Sequence, residues 1–84
     1  MKYIAKIHVT LKEGVLDPQG VAVAGSLHSL GYDEVKEVRV GKFTTVTLEA
    51  SSETHASKRV NEMCQKLLAN PVIEEFSFEI EEVA

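Results

Sequence analysis

The chain has little of what usually stabilises a small domain. It carries one cysteine, Cys64, in 84 residues, which excludes an internal disulfide. A chain of this length buries only roughly 60% of the surface that its unfolded form exposes. No cysteine or histidine has a partner at the spacing of a structural metal site. Association with other chains is therefore the expected source of added stability.

Basic residues and long apolar runs are also scarce. The formal net charge of -4 disfavours a nucleic-acid partner, because such binding depends on clustered Lys and Arg. No apolar run approaches the roughly 20 residues of a membrane helix. The first residues, MKYIAK, also lack the apolar stretch of a signal peptide. We therefore expect no nucleic acid, no membrane and a cytoplasmic location for a chain of ordinary globular composition, 44% hydrophobic and 26% charged.

The first third of the chain contains a strand pattern and then a helix pattern. Residues 3–11 alternate in the period of two that is typical of a half-buried strand. Asp17 and Pro18 predict a helix start, because the carboxylate accepts bonds from unpaired amides and proline lacks only a donor that would be unpaired there. The helix should end at Gly31. Its apolar residues at helical spacing, expected to face a sheet, are Val23, Leu27 and Leu30.

The remainder reads as strand, strand, helix and strand. Residues 35–40 and 43–50 predict two antiparallel strands joined by a tight turn around Gly41 and Lys42. Residues 51–53 supply a cap and a first-turn acid for a second helix that runs to about Ala69. The apolar stripe of that helix comprises Ala56, Val60, Met63, Cys64 and Leu67. Pro71 then ends the helix, and a last alternating strand carries Phe76, Phe78 and Ile80.

This order predicts an α+β fold, a ferredoxin-like βαββαβ sandwich in a single domain spanning residues 1–84. We expect a four-stranded antiparallel sheet with two helices on one face. The other face is then uncovered and polar, and suited to water, a second sheet or a partner protein. Its expected members are Lys6, His8, Thr10, Glu37, Arg39, Thr45, Thr47 and Glu49.

The sequence offers no convincing catalytic, cofactor or metal site. Cys64 lies on the apolar stripe of the second helix, which predicts a buried packing residue and not a nucleophile. His8, His28 and His55 fall on three separate elements and are expected to face solvent. The acidic residues near the end of the chain are expected to alternate outward and lack the apolar pocket that a general acid needs; they are Glu74, Glu75, Glu79, Glu81 and Glu82.

Two stretches carry more apolar residues than packing requires, residues 14–20 and residues 67–73. Apolar loops are candidates for contact surfaces. The candidate partner contacts are Leu16, Asp17, Asn70, Pro71 and Val72. The alternative is that Leu16, Leu68 and Val72 simply cover the ends of a small core.

Four blocks of the sequence, in order and in register, resemble the PurS family of small phosphoribosylformylglycinamidine synthase subunits. They are residues 12–20 (KEGVLDPQG), 30–32 (LGY), 38–42 (VRVGK), and 62–64 (EMC) followed by 66–74 (KLLANPVIE). The resemblance implies a role in purine biosynthesis, in the step that converts formylglycinamide ribonucleotide to its amidine with ATP and glutamine. It implies a subunit without catalytic residues and without a cofactor of its own.

The resemblance also implies partners. These are a synthetase subunit, PurL, which uses ATP, and a glutaminase subunit, PurQ, which releases ammonia. The small subunit would hold the two together, with a role in ammonia transfer, and would form homodimers or dimers of dimers through its sheet. A second hypothesis is a stand-alone regulatory domain of the ACT type, which has the same βαββαβ order and binds small molecules between paired domains.

Overall fold

The computed structural model describes residues 1–83. Its elements, in order, are β1 (Lys2–Leu11), α1 (Pro18–Ser29), β2 (Lys42–Glu49), α2 (Glu53–Met63), a π-helical turn (Cys64–Leu68) and β3 (Glu74–Val83). The three strands form one antiparallel sheet in the order β2-β1-β3. The fold is therefore α+β, with three strands in the described residues where the sequence predicted four.

β1 is the central strand and supplies much of the core. Its buried side chains are Tyr3, Ala5, Ile7 and Val9. Ile7 lies opposite Thr44 of β2 and Phe78 of β3. Directly opposite residues of paired strands point to the same face. Burial of every second residue from Tyr3 to Val9 thus confirms the predicted strand and gives the sheet one apolar face.

α2 covers part of this apolar face. Ser52 caps the helix, as predicted, by accepting a hydrogen bond from the His55 amide at 3.1 Å. Ala56, Val60 and Cys64 are completely buried and follow one another at a spacing of four residues. Their burial confirms the predicted stripe over these positions.

The end of the second helix differs from the prediction. The α-helix stops at Met63, and a π-helical turn follows in which the Ala69 amide donates to the Cys64 carbonyl at 2.9 Å. This wider turn rotates the residues after it relative to the α-helical stripe. Leu67 is consequently 82% exposed, so its predicted place in the core was wrong, while Ala69 is buried instead.

The opposite face of the sheet is polar, as predicted for the residues that lie on strands. Lys6 pairs with Glu81 of β3 at 3.0 Å, and the rings of His8 and Phe43 lie 4.8 Å apart. No helix in the described chain packs extensively on the sheet except α2. Glu37 was expected on this face but lies outside the sheet, as does Arg39.

α1 and the segment after it project away from the sheet. Asp17 caps α1, and Gly31 has a positive φ of 99° just beyond its end, which confirms both predicted boundaries. We call residues 21–37 the arm. The radius of gyration is 16.5 Å, whereas a compact chain of this length has about 12 Å. The molecule is therefore elongated, and the prediction that both helices pack on one sheet was wrong.

The predicted strand over residues 35–40 and the hairpin after it are absent from the described structure. A two-residue turn of the expected kind needs a positive φ at its first position, but Gly41 has none, and Lys42 already belongs to β2. The Val40 amide donates to the Asp17 carboxylate at 2.8 Å instead of joining the sheet. This bond keeps the segment beside the start of α1.

None of the helices within residues 1–83 is both long and apolar enough to cross a bilayer.

Candidate partner-binding surface

The arm joins the sheet at a base that we call the stem, formed by residues 11–20 and 38–41. Asp17 lies at its centre and is only 8% exposed. One carboxylate oxygen accepts from the Gly20 amide at 2.9 Å, and the other accepts from the Val40 amide at 2.8 Å. The bonds from Val40 and Gly20, aided by the charge of Arg39, lower the pKa of Asp17 despite its burial.

Arg39 and Lys12 extend this network to the end of β1. Arg39 donates to the carbonyl of Leu11 at 2.6 Å and to that of Lys12 at 3.2 Å. The Lys12 ammonium donates to the Pro71 carbonyl at 2.7 Å, and the Lys12 amide donates to the Ile73 carbonyl at 2.8 Å. Since the Val15 amide also donates to the Lys12 carbonyl at 3.1 Å, Lys12 links the two stretches singled out in the sequence at one end of the sheet.

The second of these stretches is a tightly hydrogen-bonded loop. The side-chain oxygen of Asn70 accepts a hydrogen bond from the Val72 backbone amide at 3.0 Å. The backbone amide of Asn70 donates to the Glu74 carboxylate at 2.7 Å. The carbonyl of Asn70 also accepts from the Glu74 amide at 2.7 Å. Such local bonds fix the loop without a core beneath it. The Val72 side chain is thus presented to solvent on an ordered loop.

The structure separates the five candidate contact residues by exposure. Leu16 is 74% exposed and Val72 is 78% exposed, so neither covers the core. Asn70 and Pro71 are exposed as well, whereas Asp17 is buried. Leu16, Asn70, Pro71 and Val72 are therefore accessible to a partner, whereas the Asp17 side chain is not. We call the two loops that carry these four exposed residues the contact loops.

Cys64 and the histidines lie outside this surface. Cys64 is completely buried, as predicted, and burial raises the pKa of its thiol. It lies beside a cavity of about 570 Å³ that Lys12 and Phe76 also line. His8, His28 and His55 are all exposed on separate elements, as predicted. Within residues 1–83, no group of three His, Cys, Asp or Glu side chains could hold a metal ion.

Sequence reasoning missed the apolar surface of the arm. Within α1, which is wholly described, Gly20 is the one buried residue. The arm carries exposed apolar side chains on different sides, which are Val21, Val23, Leu30 and Tyr32. A signal was present, because α1 is apolar on several sides and not along one stripe. That pattern is typical of a helix with more than one neighbour.

Most of the chain is similar in sequence to a known protein family and to its characterised members. The family model PurS, phosphoribosylformylglycinamidine (FGAM) synthase, matches residues 4–82. The PurS subunit of Bacillus subtilis is 53% identical over 81 residues, which cover 96% of this chain and 95% of that protein. The PurS subunit of Methanocaldococcus jannaschii is 40% identical over 96% of this chain and 98% of that protein.

Solved structures agree with the sequence matches. A crystal structure of B. subtilis PurS superposes with a TM-score of 0.86 at 52% identity, covering 95% of this chain and 99% of that one. The M. jannaschii protein, with a TM-score of 0.86 at 38% identity over 98% of this chain and 99% of that one, is described as a subunit of formylglycinamide ribonucleotide amidotransferase in the purine biosynthetic pathway. A chain in the structure of PurLQS from Thermotoga maritima gives a TM-score of 0.85 at 31% identity, with 99% of each chain covered. This chain therefore belongs to the PurS family, the small subunits of phosphoribosylformylglycinamidine synthase in purine biosynthesis.

Proposed function

We propose that this chain is the non-catalytic subunit that holds the synthetase, PurL, and the glutaminase, PurQ, in one complex. The proposal rests chiefly on the contact loops, which present apolar side chains on an ordered base at one end of the sheet. The PurLQS structure from T. maritima, in which a chain of the same fold is present, supports it. ATP would be used by the synthetase, and this chain would need no cofactor. Its location would be cytoplasmic.

The contact loops suit a protein partner for a physical reason. A protein interface usually has an apolar centre and a polar, solvent-accessible rim. Leu16 and Val72 would supply the apolar centre, and Asn70 and Pro71 the rim. Because the Lys12 bonds hold the loops together, little ordering entropy would be lost on binding.

We also propose that the chain forms a homodimer or a dimer of dimers. The arm exposes apolar residues that its own sheet does not cover, including Val21 and Leu30. The apolar face of that sheet is in turn only partly covered, since Phe76, Phe78 and Ile80 are half-buried. The arm of a second copy fits this gap chemically, and exchange of identical elements is a common route to dimers.

The function is tested by reconstitution with the matching synthetase and glutaminase. The purified chain should neither hydrolyse glutamine nor consume ATP, but it should co-elute with both partners and allow glutamine-dependent amidine formation. Activity with added ammonium salt should depend on it much less, because ammonia in bulk needs no route from the glutaminase. Full glutamine-dependent activity of the two partners alone, with no change in elution when the chain is added, would contradict the proposal.

The regulatory alternative predicts a different binding result. A domain of the ACT type should bind a small metabolite in the absence of the two partners. The family match over residues 4–82 does not favour this alternative.

A further inference from the structure

The Asp17 carboxylate makes more bonds than a helix cap requires. A cap needs one side-chain oxygen, and the bond from Gly20 provides it. The second oxygen binds the amide of Val40, which is 23 residues away in the chain. Only a carboxylate offers two acceptor oxygens, because an asparagine in the same place would turn an NH₂ group toward one of the two amides.

Two further contacts of different chemistry close the stem. A Cβ atom at Gly20 would lie 2.0 Å from the Val38 carbonyl oxygen, so only glycine permits this approach of α1 to residue 38. The Arg39 guanidinium, on the other side, binds the carbonyl oxygens of Leu11 and Lys12. The outgoing and returning chains are thus held together by a carboxylate, a close backbone approach and a guanidinium.

Beyond the stem, the arm is bonded mainly to itself. The Tyr32 amide donates to the Leu27 carbonyl at 3.0 Å, and the Nε2 atom of His28 lies 2.8 Å from the Val35 carbonyl oxygen. α1 makes no extensive contact with any other helix or strand of residues 1–83. The direction of the arm relative to the sheet is therefore set at the stem.

From these contacts we infer that Asp17 is the positioning residue of the arm. Its two oxygens join the start of α1 to the returning chain at Val40, and this holds the arm in the orientation that self-association uses. The use of this orientation in self-association rests on the proposed homodimer, whereas the order of the stem is a property of the single chain.

Two variants break the stem by different means, and one serves as a matched control. Asp17→Asn keeps one acceptor oxygen and should lose a bond at one of the two amides. Gly20→Ala keeps the carboxylate but forces Val38 away. Ser52→Ala removes the cap of α2, which lies outside the stem. The measurements are amide hydrogen exchange, resolved by residue, and sedimentation at several concentrations.

We expect the amide that loses its acceptor in Asp17→Asn, at Gly20 or at Val40, to exchange about tenfold faster or more, the factor for losing a hydrogen bond to a charged group. Amides of β1 should keep their protection. Self-association should weaken in both stem variants and not in Ser52→Ala. Asp17→Asn tests the inference by itself if Gly20→Ala fails to fold.

Unchanged exchange at Val40 and Gly20 in Asp17→Asn would overturn the assignment. Equal loss of self-association in Ser52→Ala would overturn it too, because the effect would then be one of general stability. If the parent chain proves monomeric, the proposed homodimer fails, while the exchange measurement still decides the role of Asp17.

Discussion

The ammonium group of Lys12 donates to the carbonyl oxygen of Pro71 at 2.7 Å. The partners are 59 residues apart in sequence, and this bond joins the loop before α1 to the loop before β3. It lies on the surface, where a single hydrogen bond usually contributes about 1 kcal/mol or less. The bond therefore matters less for stability than for geometry, because it holds the two contact loops in a fixed position relative to each other.

Removing this bond should disturb the loops and leave the core intact. In Lys12→Met, the free energy of unfolding should fall by no more than about 1 kcal/mol. Affinity for the synthetase and glutaminase should fall further, because the loop of residues 70–73 loses one of its two bonds to residue 12 and keeps only the backbone bond at Ile73. Lys58→Met, at an exposed position of α2, is the control. Titration calorimetry against the partners measures the effect, and equal affinities for both variants would contradict it.

A charge at either exposed apolar contact should impair assembly without unfolding the domain. Leu16→Asp and Val72→Asp should each change the free energy of unfolding by about 0.5 kcal/mol or less, because both side chains are exposed. Each should reduce co-elution with the partners and glutamine-dependent activity. Asn61→Asp adds the same charge on exposed α2 and should have no effect. A large drop in the urea midpoint of Leu16→Asp would show that this side chain is packed.

The two helix caps should differ in their contribution to stability. Ser52→Ala should lower the free energy of unfolding by about 1 kcal/mol, the usual cost of a lost cap. Asp17→Ala should cost more, because it leaves both the Gly20 and the Val40 amides without their acceptor. Denaturant unfolding of the two variants beside the parent decides this. A smaller effect at Asp17 than at Ser52 would show that the Val40 bond adds nothing.

Acid should remove the contribution of Asp17. Its folded-state pKa is lowered, first by the bonds from Val40 and Gly20, so the carboxylate stabilises the folded chain above about pH 4 and this contribution is lost as the pH falls through the folded value. The charged groups around it are Arg39 and its ion-pair partner Glu37 on one side, and Lys42 and Glu74 in the adjoining cavity on the other. The stability difference between the parent and Asp17→Asn should be complete at neutral pH and shrink in acid. A difference that is constant from neutral pH to pH 3 would contradict the assignment.

Local features of the fold followed directly from the sequence. The caps at Asp17 and Ser52 and the positive φ beyond α1 at Gly31 involve residues only a few positions apart, so chain connectivity already brings the partners together. The period of two in β1 also predicted its buried side chains. The candidate contact loops were chosen from their apolar content, and the structure adds that Leu16 and Val72 are exposed.

Two of the wrong predictions arose where distant residues or an unusual turn decided the outcome. The π-helical turn after Met63 turned Leu67 outward, although an α-helical pattern places it in the core. Residues 35–40 have enough valine for a strand, yet the Val40 amide binds Asp17 and not a neighbouring strand. Propensity cannot decide between these partners, because each satisfies the same backbone donor.

The sequence by itself determined where most helices and strands begin and end, which residues of β1 enter the core, and the family to which the chain belongs. These depend on neighbouring residues and on ordered blocks along the chain. Only the tertiary structure decided that the arm leaves the sheet, that Lys12 joins the two contact loops, and that Asp17 is buried between α1 and the returning chain. Each of these depends on a contact between residues far apart in sequence, whose formation is set by competition among all the donors and acceptors of the folded chain.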